Sequence, residues 1–150
     1  MEIEKEIKQT VQFTSELHKL SVNILYTASW LSVLHVKQLK PYGITSQQYN
    51  LLRILRGQHP KPATVNMLIE RMIDKSSNAS RLVDRLQQKG LADRCTSDSD
   101  KRSVNVRITE KGLQILKKID EQTPAFESSL NTLTKDEAAE LNRLLDKLRG

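Results

Sequence analysis

The chain has 150 residues, of which 37% are apolar, 4% aromatic and 28% charged, a balance that fits one folded domain or two small coupled lobes and excludes a disordered tail. Its single cysteine, Cys95, allows no intramolecular disulfide and, with a start that lacks an apolar signal stretch, points to a reducing, cytoplasmic setting; charges interrupt every apolar run before the roughly 20 residues that a membrane-spanning helix needs. The net charge is +6, and residues 75–107 concentrate it, with eight Lys/Arg against four Asp/Glu, which is the footprint expected of contact with a phosphate backbone.

From Ile7 to about Leu39 apolar residues return at helical spacing, among them Val11, Leu17, Leu20, Ile24, Leu31 and Leu34, with neither Gly nor Pro before Pro41. This predicts one long helix, which would outrun a small core and place part of its stripe on another subunit. A second helix is expected from Thr45, with Gln48 completing a capping box and Tyr49, Leu52 and Leu55 facing inward; Gly57 and His59-Pro60-Lys61-Pro62 end it. A third, short helix follows from Thr64, with Val65, Leu68, Ile69 and Met72 on one face.

After Asp74-Lys75-Ser76 a fourth helix repeats that spacing with Ala79, Leu82, Val83 and Leu86, and Gly90 supplies its left-handed end. At 100° per residue, Ser77, Arg81 and Gln88 face away from the apolar stripe, with Ser80, Asp84 and Arg85 on its flanks. Leu91 to Thr96 reads as a strand, and Val104, Val106 and Ile108 alternate with Asn105 and Arg107 as a second, half-buried one. The polar run Ser97 to Ser103 between them makes a hairpin with a charged tip. Thr109 caps the next helix, carried by Leu113, Leu116 and Ile119 and ending near Thr123-Pro124. A Thr134–Glu137 capping box opens the last helix, which is expected to bury Ala138, Leu141, Leu144, Leu145 and Leu148.

Two short helices, the second with a polar outer face, followed by a hairpin with a basic tip, form the order of a winged helix-turn-helix. The fold class expected is therefore mainly α with a small β-hairpin wing. Hydroxyl, amide and guanidinium groups at the front of such a helix can reach major-groove base edges, while Lys101 and Arg102 at the hairpin tip can meet the backbone or enter a minor groove.

The run Ser76-Ser77-Asn78-Ala79-Ser80-Arg81-Leu82-Val83-Asp84-Arg85-Leu86, then Lys89-Gly90-Leu91, Asp100-Lys101-Arg102-Ser103 and Ile108-Thr109-Glu110-Lys111-Gly112, resembles the core signature of the MarR family of bacterial transcription regulators. The resemblance implies a single MarR-type domain over residues 1–150, with residues 1–40 and 110–150 as a helical dimerisation lobe and residues 41–109 as a winged helix-turn-helix DNA-binding lobe. It implies a homodimer on a pseudo-palindromic double-stranded operator, with the helix from Ser76 to Lys89 in the major groove. It also implies that Arg102 reaches the minor groove, braced by Asp98 or Asp100. From their facing, Ser77, Asn78, Ser80 and Arg81 are the expected base readers, and Lys75, Arg85 and Lys101 the expected phosphate contacts, with Ser76 at the start of the same surface. The family usually carries two arginines after the wing aspartate; Lys101 keeps the first charge and loses the planar fork. Here too the loop before the third helix is enlarged by His59-Pro60-Lys61-Pro62, and Thr64-Val65-Asn66-Met67 lacks that helix's usual acidic residue.

The function expected is a repressor released by a small phenolic or lipophilic effector, with Trp30, His35 and Tyr49 on the elements that would line the effector cleft. Two alternatives stand beside it: a winged-helix protein-interaction module, and an oxidant-responsive regulator acting through Cys95, although the oxidant sensors of the family keep their cysteine near the start of the first helix. An enzyme is not expected. His18, His35 and His59 fall on three elements without metal-ligand spacing, no phosphate loop or nucleophile elbow is present, and no cofactor is implied. Asn78-Ala79-Ser80 matches a glycosylation sequon by chance in a chain without a secretory signal.

Overall fold

A computed structural model describes residues 2–96 and 104–150, in two units that divide between Ser46 and Gln47. The first unit holds α1 (Ile3–Glu6) and α2 (Glu16–Leu39), followed by a 3₁₀ turn at Lys40–Tyr42 that Gly43 closes in the left-handed region. The single long helix expected from Ile7 is therefore broken. Lys8 turns the chain with φ 53°, and Ser15, in extended backbone, accepts the His18 N–H at 3.1 Å and starts α2 afresh. The apolar period ran through this break because Val11 keeps helical spacing, yet Val11 is 72% exposed and contributes nothing to a core. The short α1 folds back on α2: Ile3 is buried, Lys19 Nζ lies 2.6 Å from Glu4 Oε1, and the Tyr26 hydroxyl donates to Glu6 at 2.9 Å.

The second unit contains the rest. Its helices are α3 (Ser46–Gln58), α4 (Val65–Arg71), α5 (Ala79–Gln88), α6 (Glu110–Asp120), α7 (Thr123–Ser128) and α8 (Lys135–Arg149), and its strands β1 (Ala63–Thr64), β2 (Ala92–Thr96) and β3 (Val104–Ile108). The sheet is antiparallel in the order β1-β3-β2, with Ala63 opposite Val106 and Ala92 opposite Ile108. Leu51, Leu52 and Leu55 of α3, Leu68 of α4, Val83 and Leu86 of α5, Val106 of β3, and Leu116 and Ile119 of α6 are sealed from solvent. Leu51 occupies the inward position expected of Tyr49, which is only half-buried.

The caps predicted at Thr109 and Thr134 are present, and Thr64, from which a short helix was expected, is a third. Thr64, Thr109 and Thr134 accept the N–H groups of Met67, Gly112 and Glu137, and Glu137 reaches back to the Thr134 N–H at 2.8 Å. Gly90 has φ 68° as expected at a helix end. The start of α6 is drawn in tightly: Thr109 Oγ1 donates to the Gly90 carbonyl at 2.8 Å and Thr109 N–H to that of Leu91 at 3.1 Å. A Cβ at Gly112 would press on the Leu91 carbonyl oxygen and lie 2.7 Å from Ile108 Cγ1.

Three further expectations need correction. On β3 it is Val104 that is exposed (44%) and Asn105 that is buried (8%). Asn105 lies between Thr64 of β1 and Cys95 of β2, whereas Val104 sits beyond the two residues that β1 covers. The helix after the hairpin stops at Asp120, and Pro124 opens the separate α7 from its first turn, where a missing N–H costs nothing. The leucines of α8 are not buried as expected: Leu141, Leu144 and Leu148 are 46%, 46% and 54% exposed. On α2, whose stripe was expected to lie partly outside its own core, Leu17, Leu25, Val33 and Val36 are exposed.

Candidate nucleic-acid interface

The turn that launches α5 is built around Asp74. Its carboxylate accepts the Ser76 hydroxyl at 2.6 Å and the Ser76 N–H at 3.0 Å, and these bonds hold it below the usual carboxylate range. The preceding residue is tied to α3, since Ile73 N–H donates to Asn50 Oδ1 at 2.9 Å. Lys75 folds its ammonium onto the Glu70 carbonyl at 2.5 Å, at the end of α4. Asn78 then caps α5 by accepting the Arg81 N–H at 3.0 Å. Ser76 and Ser77 thus belong to the turn rather than to the helix, and Ser77 is half-buried instead of facing fully outward.

Along α5, Ala79, Val83 and Leu86 face the core while Ser80, Arg81, Asp84, Arg85 and Gln88 are exposed. Among the described residues no carboxylate forms an ion pair with Arg81 or Arg85, so both guanidinium groups keep their donors for an outside partner. Asp84 is different: its Oδ1 lies 2.6 Å from Nη2 of Arg94 on β2, and that nitrogen is also 3.5 Å from the Ser80 carbonyl. Arg94 was not singled out from sequence, because ten residues and a change of element separate it from Asp84. The Asp74 turn falls where the sequence places a break, at Asp74-Lys75-Ser76, an Asp two residues before a Ser being a local turn signal.

Asp98, Asp100, Lys101 and Arg102, the expected wing residues, lie outside the described residues. Cys95 is half-buried on β2 opposite Asn105. Of the residues expected at an effector cleft, Trp30 and His35 are on α2 in the first unit and Tyr49 is on α3 in the second. Trp30 lines an open cavity of about 300 Å³ with Ile3, Glu6, Asn23, Tyr26 and Thr27. The Tyr49 hydroxyl accepts from Arg53 at 2.9 Å, and the guanidinium carbon of Arg53 is 5.7 Å from the tyrosine ring centroid. Among the described residues no group of three or more His, Cys, Asp or Glu side chains could hold a metal ion, and no helix is long and apolar enough to cross a membrane.

The MarR family model matches residues 42–103, from the end of the 3₁₀ turn to just before β3. The regulator MgrA of Staphylococcus aureus is 30% identical over 112 residues, which cover 75% of this chain and 74% of MgrA. The chain belongs to the MarR family. A second relative, the HTH-type transcriptional repressor IacR of Pseudomonas putida, is 30% identical over 125 residues, covering 78% of this chain and 74% of IacR. Among solved structures, a mutant MarR of E. coli in complex with operator DNA superposes with a TM-score of 0.79 at 27% identity, over 92% of this chain and 99% of that one. A MarR-like regulator from Bacillus cereus gives a TM-score of 0.79 at 25% identity, over 89% and 96%. As a MarR family protein the chain is a winged-helix, DNA-binding transcription regulator and not an enzyme. The helix pair α4 and α5 with the hairpin β2–β3 is its winged helix-turn-helix.

Proposed function

We propose that this MarR family protein is a cytoplasmic homodimeric repressor whose α5 helices read the two halves of a pseudo-palindromic operator and leave it when a small phenolic or lipophilic effector binds. The observation that carries the reading is the outer face of α5, where Ser80, Arg81 and Arg85 stand exposed and the two arginines are without carboxylate partners among the described residues. Ser80 and Arg81 are assigned to base edges, joined by the Asn78 amide, whose N–H groups stay available while its oxygen caps the helix; the hydroxyl of Ser77, expected from sequence to read a base, is turned away from solvent into the turn. Lys75, Arg85 and Lys101 are assigned to phosphates, Arg102 to the minor groove with Asp98 or Asp100 as its brace, and Ser76 to the rim of the contact.

The dimer is assigned to residues 1–40 and 110–150, leaving 41–109 as the DNA-binding lobe. The exposed leucines and valines of α2 and α8 support this, since each helix carries an apolar face that a monomer leaves in water. A dimer also supplies the geometry that DNA demands, two dyad-related helices about 34–36 Å apart. The sign of regulation follows the repressor IacR, and DNA engagement follows the operator complex of MarR. Effector release requires unequal affinity for two states; a tenfold loss of operator affinity needs about 1.4 kcal/mol of coupling. Trp30 is the chain's one tryptophan, so its fluorescence reports directly on an effector near α2.

Fluorescence anisotropy tests the reading, with a duplex from the upstream region of the gene titrated against a scrambled duplex at several salt concentrations. The expected result is preference for the upstream duplex with log affinity falling linearly in log salt, with a slope of about −0.9 per phosphate contacted. Absence of binding to either duplex at low salt would overturn it in favour of a protein partner, and loss of binding on oxidation that a Cys95→Ser variant resists would favour the redox reading.

A further inference from the structure

We infer that Arg94 is a positioning residue that fixes the angle of α5 on the wing strand β2, and that Asp84 is kept on the DNA-facing helix to hold it. The inference deepens the DNA-binding reading and rests on it for its effect on affinity. Arg94 Nη2 meets two points one helical turn apart on the same flank of α5, the Ser80 carbonyl at 3.5 Å and Asp84 Oδ1 at 2.6 Å. Ser80 lies in the first turn of α5, next to Arg81, so the contact acts at the end of the helix that presents the base-reading groups.

Two observations make the pair more than a surface ion pair. First, Asp84 is an anion on a helix meant for a polyanion, in a segment whose charge is otherwise strongly positive. Its repulsion from phosphate is a cost that only another role offsets. Second, Arg94 and Ser80 line an open groove of about 370 Å³ together with Thr64, Val65 and Asn66 at the start of α4 and Val104 of β3. On this open flank the polar bridge adds to the apolar packing of Val83 and Leu86 beneath the helix. The Arg94 side chain is 31% exposed and that of Asp84 55%, so the pair contributes little to global stability. Its weight falls on geometry: a base-reading helix that rocks on its core loses direct contacts, while phosphate contacts made through long side chains tolerate the change. Arg94 engages Asp84 and the Ser80 carbonyl through Nη2, which gives it a bracing role rather than a phosphate contact.

The test uses the full chain with Arg94→Ala, Asp84→Asn, the double variant, and the charge reversal Asp84→Arg with Arg94→Asp, each first checked for folding by circular dichroism. Arg94→Ala is expected to weaken the upstream duplex about five- to tenfold with an unchanged salt slope and little effect on scrambled DNA. Asp84→Asn should give a similar loss, the double variant should be no worse than either, and the charge reversal should recover most of the affinity. If Asp84 merely stands near DNA, Asp84→Asn tightens both duplexes instead, which overturns the inference. A salt slope reduced by about one in Arg94→Ala also overturns it and makes Arg94 a phosphate contact. Amide hydrogen exchange in the free protein separates this inference from the DNA reading: Arg94→Ala should raise exchange in the first two turns of α5, and unchanged exchange there refutes the bridge whatever the DNA result.

Discussion

Replacing Gly112 with alanine tests the packing of α6 against the hairpin, because the usual sign of such a change is reversed there. In an exposed helix, Gly→Ala is favourable by roughly 1 kcal/mol through helix propensity and reduced unfolded-state entropy. At Gly112 the new methyl would meet the Leu91 carbonyl oxygen, a backbone atom that also accepts the Thr109 N–H, and would lie 2.7 Å from Ile108 Cγ1. Relief requires α6 to lift from the strand, and forced overpacking costs about 1–3 kcal/mol or more. With backbone as the obstacle the upper part of that range applies, leaving a net loss of about 2 kcal/mol. For a chain of this length that corresponds to a fall in Tm of roughly 4–8 °C. Gly57 in α3 is the control: an added Cβ there meets nothing within 4 Å, so Gly57→Ala should raise the Tm by a few degrees at most. Thermal melts followed at 222 nm, at one protein concentration so that assembly does not confound them, measure both. Equal signs for the two variants, or a Gly112→Ala protein as stable as wild type, would refute the packing argument.

Arg81→Ala should cost about 1–3 kcal/mol on the upstream duplex and much less on scrambled DNA; equal losses would reduce it to a phosphate contact. If the proposed dimer forms through α8, Leu144→Glu yields monomers in sedimentation velocity and abolishes operator binding while helicity is retained, since Leu144 is 46% exposed in the single chain and its removal leaves the core intact; an unchanged sedimentation coefficient would refute that assignment. Asp74 has its carboxyl pKa depressed by the Ser76 hydroxyl and N–H, so its contribution to the α5 turn is fully present above the unfolded value of about 3.9 and is lost as pH falls through the lower folded value. A carboxyl carbon NMR titration should therefore place Asp74 below the ordinary aspartate range, and a value at or above that range would contradict the turn geometry.

What was legible in the sequence was legible for local reasons. The Thr109 and Thr134 caps and the left-handed Gly90 each act within about four residues, and they mark the starts of α6 and α8 and the end of α5; the start of α5 was not legible, since its cap is Asn78 rather than the Ser76 turn from which the helix was expected. Amphipathic spacing placed Val83 and Leu86 in the core and left Arg81 outside. What was missed depends on distant partners or on segments too short to have a period. β1 has two residues and follows Pro62, so no alternation could announce it, yet it is what buries Asn105. The break at Lys8 to Ser15 was hidden because Val11 preserves the spacing while Ser15 carries the cap. The apolar face of α8 is exposed where burial was expected, because periodicity reports that a face is apolar, not that the chain buries it. The Arg94–Asp84 bridge joins a strand to a helix and leaves no mark in either pattern.

β2 has a further consequence for solubility. In the order β1-β3-β2 it forms one border of the sheet, five residues long, with a row of backbone donors and acceptors facing away from β3. Such a border is a template on which another chain can add a strand, and natural sheets discourage this with charge. Asp93 and Arg94 stand on it in succession, one to each face, so a stranger strand approaching from either side meets a charged side chain. Replacing both with valine would leave the hairpin a good strand by propensity and convert its rim into a sticky one, with aggregation as the outcome even in a chain that still folds.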